Sequence, residues 1–228
     1  MARRRLICFA LLGIASYAVA MVATIPASVA FKNRPWRAGV AGTVWNGEVG
    51  VTGGTVLSWR WAPLRSLTGL GFAADWRALG PGTDLGGQAL AGLGGVALDQ
   101  VSGTADAALL DVVQPGLPFA CDMTGQVEFE RIVAGGSAAM VAGRARSTAG
   151  SCRARGGAAT ALPPLILVAE KIGTESRIRI APATQRLRTL IDAALRENGM
   201  VEVTVTPEGA KAMPFLGVPG GTKVQGRM

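Results

Sequence analysis

In Thr55-Val56-Leu57-Ser58-Trp59-Arg60-Trp61, apolar and polar residues alternate from Leu57 to Trp61. Leu57, Trp59 and Trp61 fall on one side and Ser58 and Arg60 on the other, the period of a strand with one wet face. The pattern returns in Leu70 to Ala78, where Leu70, Phe72, Ala74, Trp76 and Ala78 oppose Asp75 and Arg77. Further on, Val201, Val203 and Val205 alternate with Glu202, Thr204 and Thr206. Leu165 to Val168 and Arg177 to Ile180 read as two strands joined through Gly173-Thr174. The chain holds 32 glycines and 12 prolines without a collagen period, which suits many short strands and turns. These features predict a mainly β, antiparallel domain.

Helix is scarce in the same stretch. Ala105 to Val113 fits two turns capped by Thr104. Gln185 to Glu197 places Leu187, Leu190, Ile191, Ala194 and Leu195 at helical spacing, with Gly199 placed to end the helix. Residues 38–114 and 119–216 each read as strands closed by a helical stretch, so two similar halves are an option.

Location is written at the N-terminus. Arg3, Arg4 and Arg5 precede a run without charge from Leu6 to Phe31. The twenty residues from Leu6 to Ile25 make about 30 Å of helix, the thickness of a bilayer's hydrocarbon core. The basic cluster keeps its side in the cytoplasm. The expectation is a cytoplasmic tip (1–5), a transmembrane anchor (6–26) and an exported, periplasmic domain (32–228) of a cell inner membrane. The rival is a cleaved signal peptide with small residues at Ser28-Val29-Ala30, but its apolar region usually spans only about 7–15 residues. Either reading exports the remainder.

Three cysteines follow from that compartment. Cys8 is a small apolar residue of the anchor. Cys121 and Cys152 are exported, where disulfides persist. Met123 to Val133 and Ala138 to Ser151 form a candidate hairpin around Gly135-Gly136, and folding there brings 121 near 152. A Cys121–Cys152 disulfide is expected, the other reading being two separate buried thiols.

Composition narrows the chemistry. Histidine is absent, which removes the commonest general base and most zinc sites. Glu128 and Glu130 have same-face strand spacing, yet a solvated face explains them better. Gly92 to Gly95 lacks the Lys-Ser or Lys-Thr of a phosphate loop. No catalytic residue, cofactor or metal is expected, and an enzyme is set aside. A membrane β-barrel needs aromatic girdles at both interfaces; aromatics are 5% here, and all five tryptophans lie between Trp36 and Trp76. The net charge is +8, of which the three leading arginines account for three. Arg144 with Arg146, and Arg177 with Arg179, form a basic stripe that could dock an acidic partner or lipid headgroups, or simply keep an outer face soluble.

One ordered set of motifs is more specific. Ala41-Gly42-Thr43-Val44-Trp45-Asn46-Gly47 follows the anchor, then come Trp59-Arg60-Trp61, Pro63 and the strand ending at Trp76. Val96 to Gly103, Ala108-Leu109-Leu110 and Thr124-Gly125-Gln126-Val127 continue it, and Leu187 to Leu195 with Gly199 closes it. This order resembles the type II secretion system protein N family, single-pass inner-membrane proteins with a β-rich periplasmic domain. Phe31 to Arg37 is more basic than that family's pattern. The motif residues Gly42, Thr43, Trp45, Gly47, Trp59 and Trp61 are structural: Gly42 and Gly47 bracket a short strand, and Trp45 packs on Trp59 or Trp61.

The resemblance implies a non-enzymatic component that assists assembly or stability of the machinery exporting folded proteins across the outer membrane. Its expected partners are other inner-membrane subunits of that system, membrane lipid through the anchor and, as an option, further copies of the chain; nucleic acid is not among them. The rival is an anchored periplasmic lipid-binding or lipid-transfer protein, whose mark would be an open apolar groove on the sheet.

Overall fold

The computed structural model describes residues 2–30, 37–51, 53–114, 116–135 and 138–227, with the side chains of 2–8 and of 113 excepted. The Arg3–Arg5 cluster and Cys8 as side chains, Trp36 and the basic segment 31–36, and Gly136 lie outside that description.

Helix α1 (Ala2–Ala23) leads through a single 3-10 turn, Ala27–Val29, into the strands. The first six are β1 (Arg37–Gly42), β2 (Asn46–Val51), β3 (Thr55–Trp61), β4 (Phe72–Gly80), β5 (Thr83–Gly92) and β6 (Gly95–Asp106), with the short α2 (Pro63–Thr68) between β3 and β4. After α3 (Leu109–Val113) come β7 (Phe119–Asp122), β8 (Thr124–Ala134), β9 (Met140–Ser147), β10 (Gly150–Ala154) and β11 (Ala159–Leu162). Then follow β12 (Leu165–Ile172), β13 (Glu175–Pro182), β14 (Ile191–Arg196), β15 (Met200–Val205), α4 (Pro207–Ala212) and β16 (Lys223–Arg227).

Thirteen of these strands form one antiparallel sheet in chain order, with β1 and β16 at its edges. Only β7, β10 and β11 leave it, to make a small sheet in the order β11-β10-β7. The strands of 38–114 and of 119–216 meet in the large sheet where β6 pairs with β8.

Register gives the two faces opposite characters. One row of directly paired residues runs Glu48, Ser58, Arg77, Gly86, Ser102, Glu128, Arg144, Val168, Arg179, Asp192, Thr204 and Lys223 from β2 to β16. The neighbouring row on the other face runs Val40, Val49, Leu57, Ala78, Leu85, Gly103, Val127, Ala145, Leu167, Ile180, Ile191 and Val205. Alternation in the sequence thus becomes a charged face and an apolar face across almost the whole sheet.

The far end of the apolar face is closed by the small sheet and the C-terminal turns. Cys152, Leu162, Leu190, Met213 and Phe215 form a buried cluster there, against which Phe119, Leu165 and Ile191 pack. Phe119 meets Phe215 edge-on at 5.4 Å between ring centroids, a favoured aromatic geometry. Cys121 and Cys152 lie directly opposite each other on β7 and β10 and form the disulfide. Both predicted hairpins form, β8 with β9 and β12 with β13.

Four expectations need correction. Gln185 to Glu197 is not a helix: turns lead into strand β14, and Leu187 is fully exposed while Leu190 and Leu195 are buried. Pairing with β13 and β15 outweighs the local helical spacing. The helix predicted over Ala105 to Val113 begins only at Leu109, because β6 extends to Asp106. Asp106 accepts from the Ala108 N–H at 2.8 Å, while Thr104 accepts from Gln126 Nε2 instead of capping. Leu70 stands in the turn before β4 with φ +48°, exposed and outside the strand. Gly42 and Gly47 bracket the turn between β1 and β2, where they pair with each other, and no strand lies between them.

Candidate functional site: an apolar groove beside the end of the first helix

The turn from Gly42 to Gly47 is a fastening. Thr43 N–H donates to the Asn46 carbonyl at 2.8 Å, and the Asn46 N–H returns to Thr43 Oγ1 at 3.2 Å, which shapes the turn. Val44 N–H then donates to the Ile25 carbonyl at 3.0 Å, and Trp45 Nε1 to the Val22 carbonyl at 2.9 Å. Thr43 also bridges to Pro26. The Ile25 carbonyl beyond the helix and the Val22 carbonyl, which also accepts from the Ile25 N–H at 3.4 Å, are thereby tied to the first β-turn of the sheet.

Tryptophans complete the joint. Trp59 Nε1 donates to the Val44 carbonyl at 3.0 Å, and Trp61 Nε1 to Ser66 Oγ at 2.8 Å. Trp45 packs on Trp61 with ring centroids 4.8 Å apart and on Phe72 at 6.0 Å. Of the two partners foreseen for Trp45, Trp61 gives the ring contact and Trp59 bonds the adjacent carbonyl. The glycines are steric requirements: Gly42 sits at φ +83°, and a Cβ on Gly47 would lie 2.6 Å from the Trp59 ring.

Beside this joint the apolar face opens into a groove of about 530 Å³. Its walls are the rings of Trp45, Trp59, Phe72 and Trp76, with Leu57 and Leu98; Ala74 and Ala89 form its floor. Small residues between large rings leave the space. Ala30, just past the 3-10 turn, also lines it. Trp76 Nε1 is buried with no hydrogen-bond partner among the described residues. On α1 itself Phe9, Leu11, Leu12, Ile14, Tyr17, Val19, Met21 and Val22 are each at least half exposed, so an apolar surface leads up to the groove. Among the described residues no helix is long and apolar enough to cross a membrane.

The basic stripe is assembled on the opposite face. Arg144 and Arg179 flank Val168 across β9, β12 and β13, with Arg146 and Arg177 one rung to either side. Much of its charge is met by neighbours: Arg144 pairs with Glu128, Arg177 with Glu175 at 3.1 Å and Arg179 with Asp192 at 3.7 Å. Arg146 has no ion pair among the described residues. Glu128 is thus an ion-pair partner, and a register shift between Phe129 and Arg131 leaves Glu130 at a bulge, out of step with Glu128. Among the described residues no three Cys, Asp or Glu side chains gather where a metal ion could sit.

The sequence located the tryptophans but not the groove between them. The available signal was the alternation of rings with alanines, Ala74 between Phe72 and Trp76 and Ala89 across from Ala74. The chain matches no known family, curated protein or solved structure with which it was compared.

Proposed function

We propose that the chain is a non-enzymatic, inner-membrane component of the type II protein secretion system, with α1 as its anchor and the sheet on the periplasmic side. The observation that carries this is the joint between Gly42–Gly47 and residues 22–26. The residues that give the chain its resemblance to the protein N family are those that fasten the helix to the sheet. Such residues act through geometry, as befits a part that positions other parts. Lipid would cover the apolar side chains exposed along α1, a burial favoured by about 25 cal/mol per Å².

In this role the domain would present its charged face and its edge strands β1 and β16 to other subunits. A photoreactive residue at Arg146 or Arg179, crosslinked in intact cells and read by mass spectrometry, tests the reading. Adducts to other secretion subunits support it and name the partner; adducts to phospholipid alone overturn it. The open groove beside Trp45 favours a second reading, an anchored lipid-handling protein.

A further inference from the structure

The groove has a position, a shape and a chemistry that specify its occupant. We infer that it takes one acyl chain of a membrane phospholipid, which enters beside the end of α1; the inference rests on the anchor reading and on the lipid-handling alternative. Ala30, which lines the groove, lies just past the 3-10 turn that follows α1, and the Trp45 indole, another lining group, is bonded to the Val22 carbonyl in the helix's last turn. With α1 in a bilayer, that bond holds the groove beside the lipid surface on the exported side.

The lining favours a hydrocarbon over a peptide. Among the described residues, all ten that line the groove are alanine, valine, leucine, phenylalanine or tryptophan. The walls lie mainly on β3, β4, β5 and β6, whose backbones already pair on both sides. A peptide laid there would leave its own N–H and C=O groups without partners in apolar surroundings, a costly burial. An acyl chain has no such groups. The space falls within the roughly 300–1,000 Å³ common for small-molecule sites. From the groove the apolar face continues through Leu85, Val127, Ala145, Leu167 and Ile180, all only half-buried, until the cluster around Phe215 closes it. A long chain therefore has somewhere to run.

The test uses the full chain in vesicles of phosphatidylethanolamine and phosphatidylglycerol that contain a phospholipid with a photoreactive group on its acyl chain. Adducts are expected on Leu57, Trp59, Phe72 or Leu98 as well as along residues 9–23. Ala89→Phe, which fills the floor, should lose the groove adducts and keep those on the helix, with its urea transition unchanged. Adducts confined to the helix overturn the acyl site and leave the anchor standing. Groove adducts that persist undiminished in a folded Ala89→Phe also overturn it. No adducts anywhere overturn the anchor, and the acyl site with it. Crosslinks from Arg146 to secretion subunits report separately on the secretion reading.

Discussion

Removing the Cys121–Cys152 link should cost the fold several kilocalories, and the structure sets the size of the effect. The two residues are 31 apart in sequence, their Cα atoms 4.1 Å apart, directly opposite each other on β7 and β10. Between them runs the whole β8–β9 hairpin. Freeing a loop with that separation of 31 returns about 12 cal/mol/K of chain entropy to the unfolded state, or about 3.7 kcal/mol at room temperature. Cys152 is only 2% exposed and Cys121 partly buried, so reduction would depend on access as well as on stability. The cleaner comparison is therefore the Cys121→Ala/Cys152→Ala double variant, which leaves no buried hydroxyl behind. With a urea slope of about 2 kcal/mol per molar, the unfolding midpoint should fall by nearly 2 M. Tryptophan emission reports on the groove and far-ultraviolet dichroism on the whole sheet, so each follows a different region. Coincident midpoints for wild type and variant would refute the argument, since neither loop entropy nor the packing of Cys152 would then matter to the fold.

Other expectations follow from single contacts. Gly47→Ala should destabilise by about 1–3 kcal/mol, because its Cβ would meet both the Trp59 ring and the Ala41 carbonyl, 2.7 Å away. Gly39→Ala, which meets nothing within 4 Å, is the control in the same urea titration. Ser176→Ala should cost about 1–3 kcal/mol in thermal or urea unfolding, since its buried Oγ accepts from the Val141 N–H and no replacement is at hand. Lys223 holds the Glu202 carboxyl below its ordinary range, first through their hydrogen bond and then through its charge. A depressed carboxyl lends stability above its unfolded titration range and loses it as pH falls through the folded value. The protection of the β16 amides, corrected for the intrinsic pH dependence of exchange, should accordingly fall in acid, and Lys223→Ala should raise the Glu202 titration midpoint seen by NMR. An unmoved midpoint would mean that the pair does not persist in solution.

Where the sequence spoke plainly, two physical constraints agreed. Residues 57–61 and 74–78 alternate strictly, and a strand with one wet face is the arrangement that puts Leu57, Trp59, Trp61 and Trp76 on one side. The β8–β9 hairpin and the disulfide were legible for the same reason, since two cysteines flanked a foldable pair of strands. At 185–197 the constraints conflicted. Leu187, Leu190, Ile191, Ala194 and Leu195 sit at helical spacing, yet Ala193 and Leu195 are buried from one strand face. The overlooked signal was Asn198-Gly199, a strong hairpin turn, with Gly199 at φ +80° between β14 and β15. The groove was illegible because it is made by absence: Ala74 and Ala89 matter through the volume they leave, which no periodicity records. The charge-neutralised stripe was equally hidden, because Glu128 and Asp192 reach Arg144 and Arg179 only through cross-strand register.

The strand order of the large sheet also bears on how the chain acquires its structure. Each strand of a meander pairs with one already made, so loop closures are short and early contacts are local. On the anchor reading, the strands nearest the anchor would emerge first and set β1 and β2 against the end of α1, then zip strand upon strand. The small sheet breaks this order, because β7 waits for β10. Until Cys152 arrives, Cys121 is an unpaired thiol on a strand without its partner, so the disulfide closes only after β8, β9 and β10 have been made.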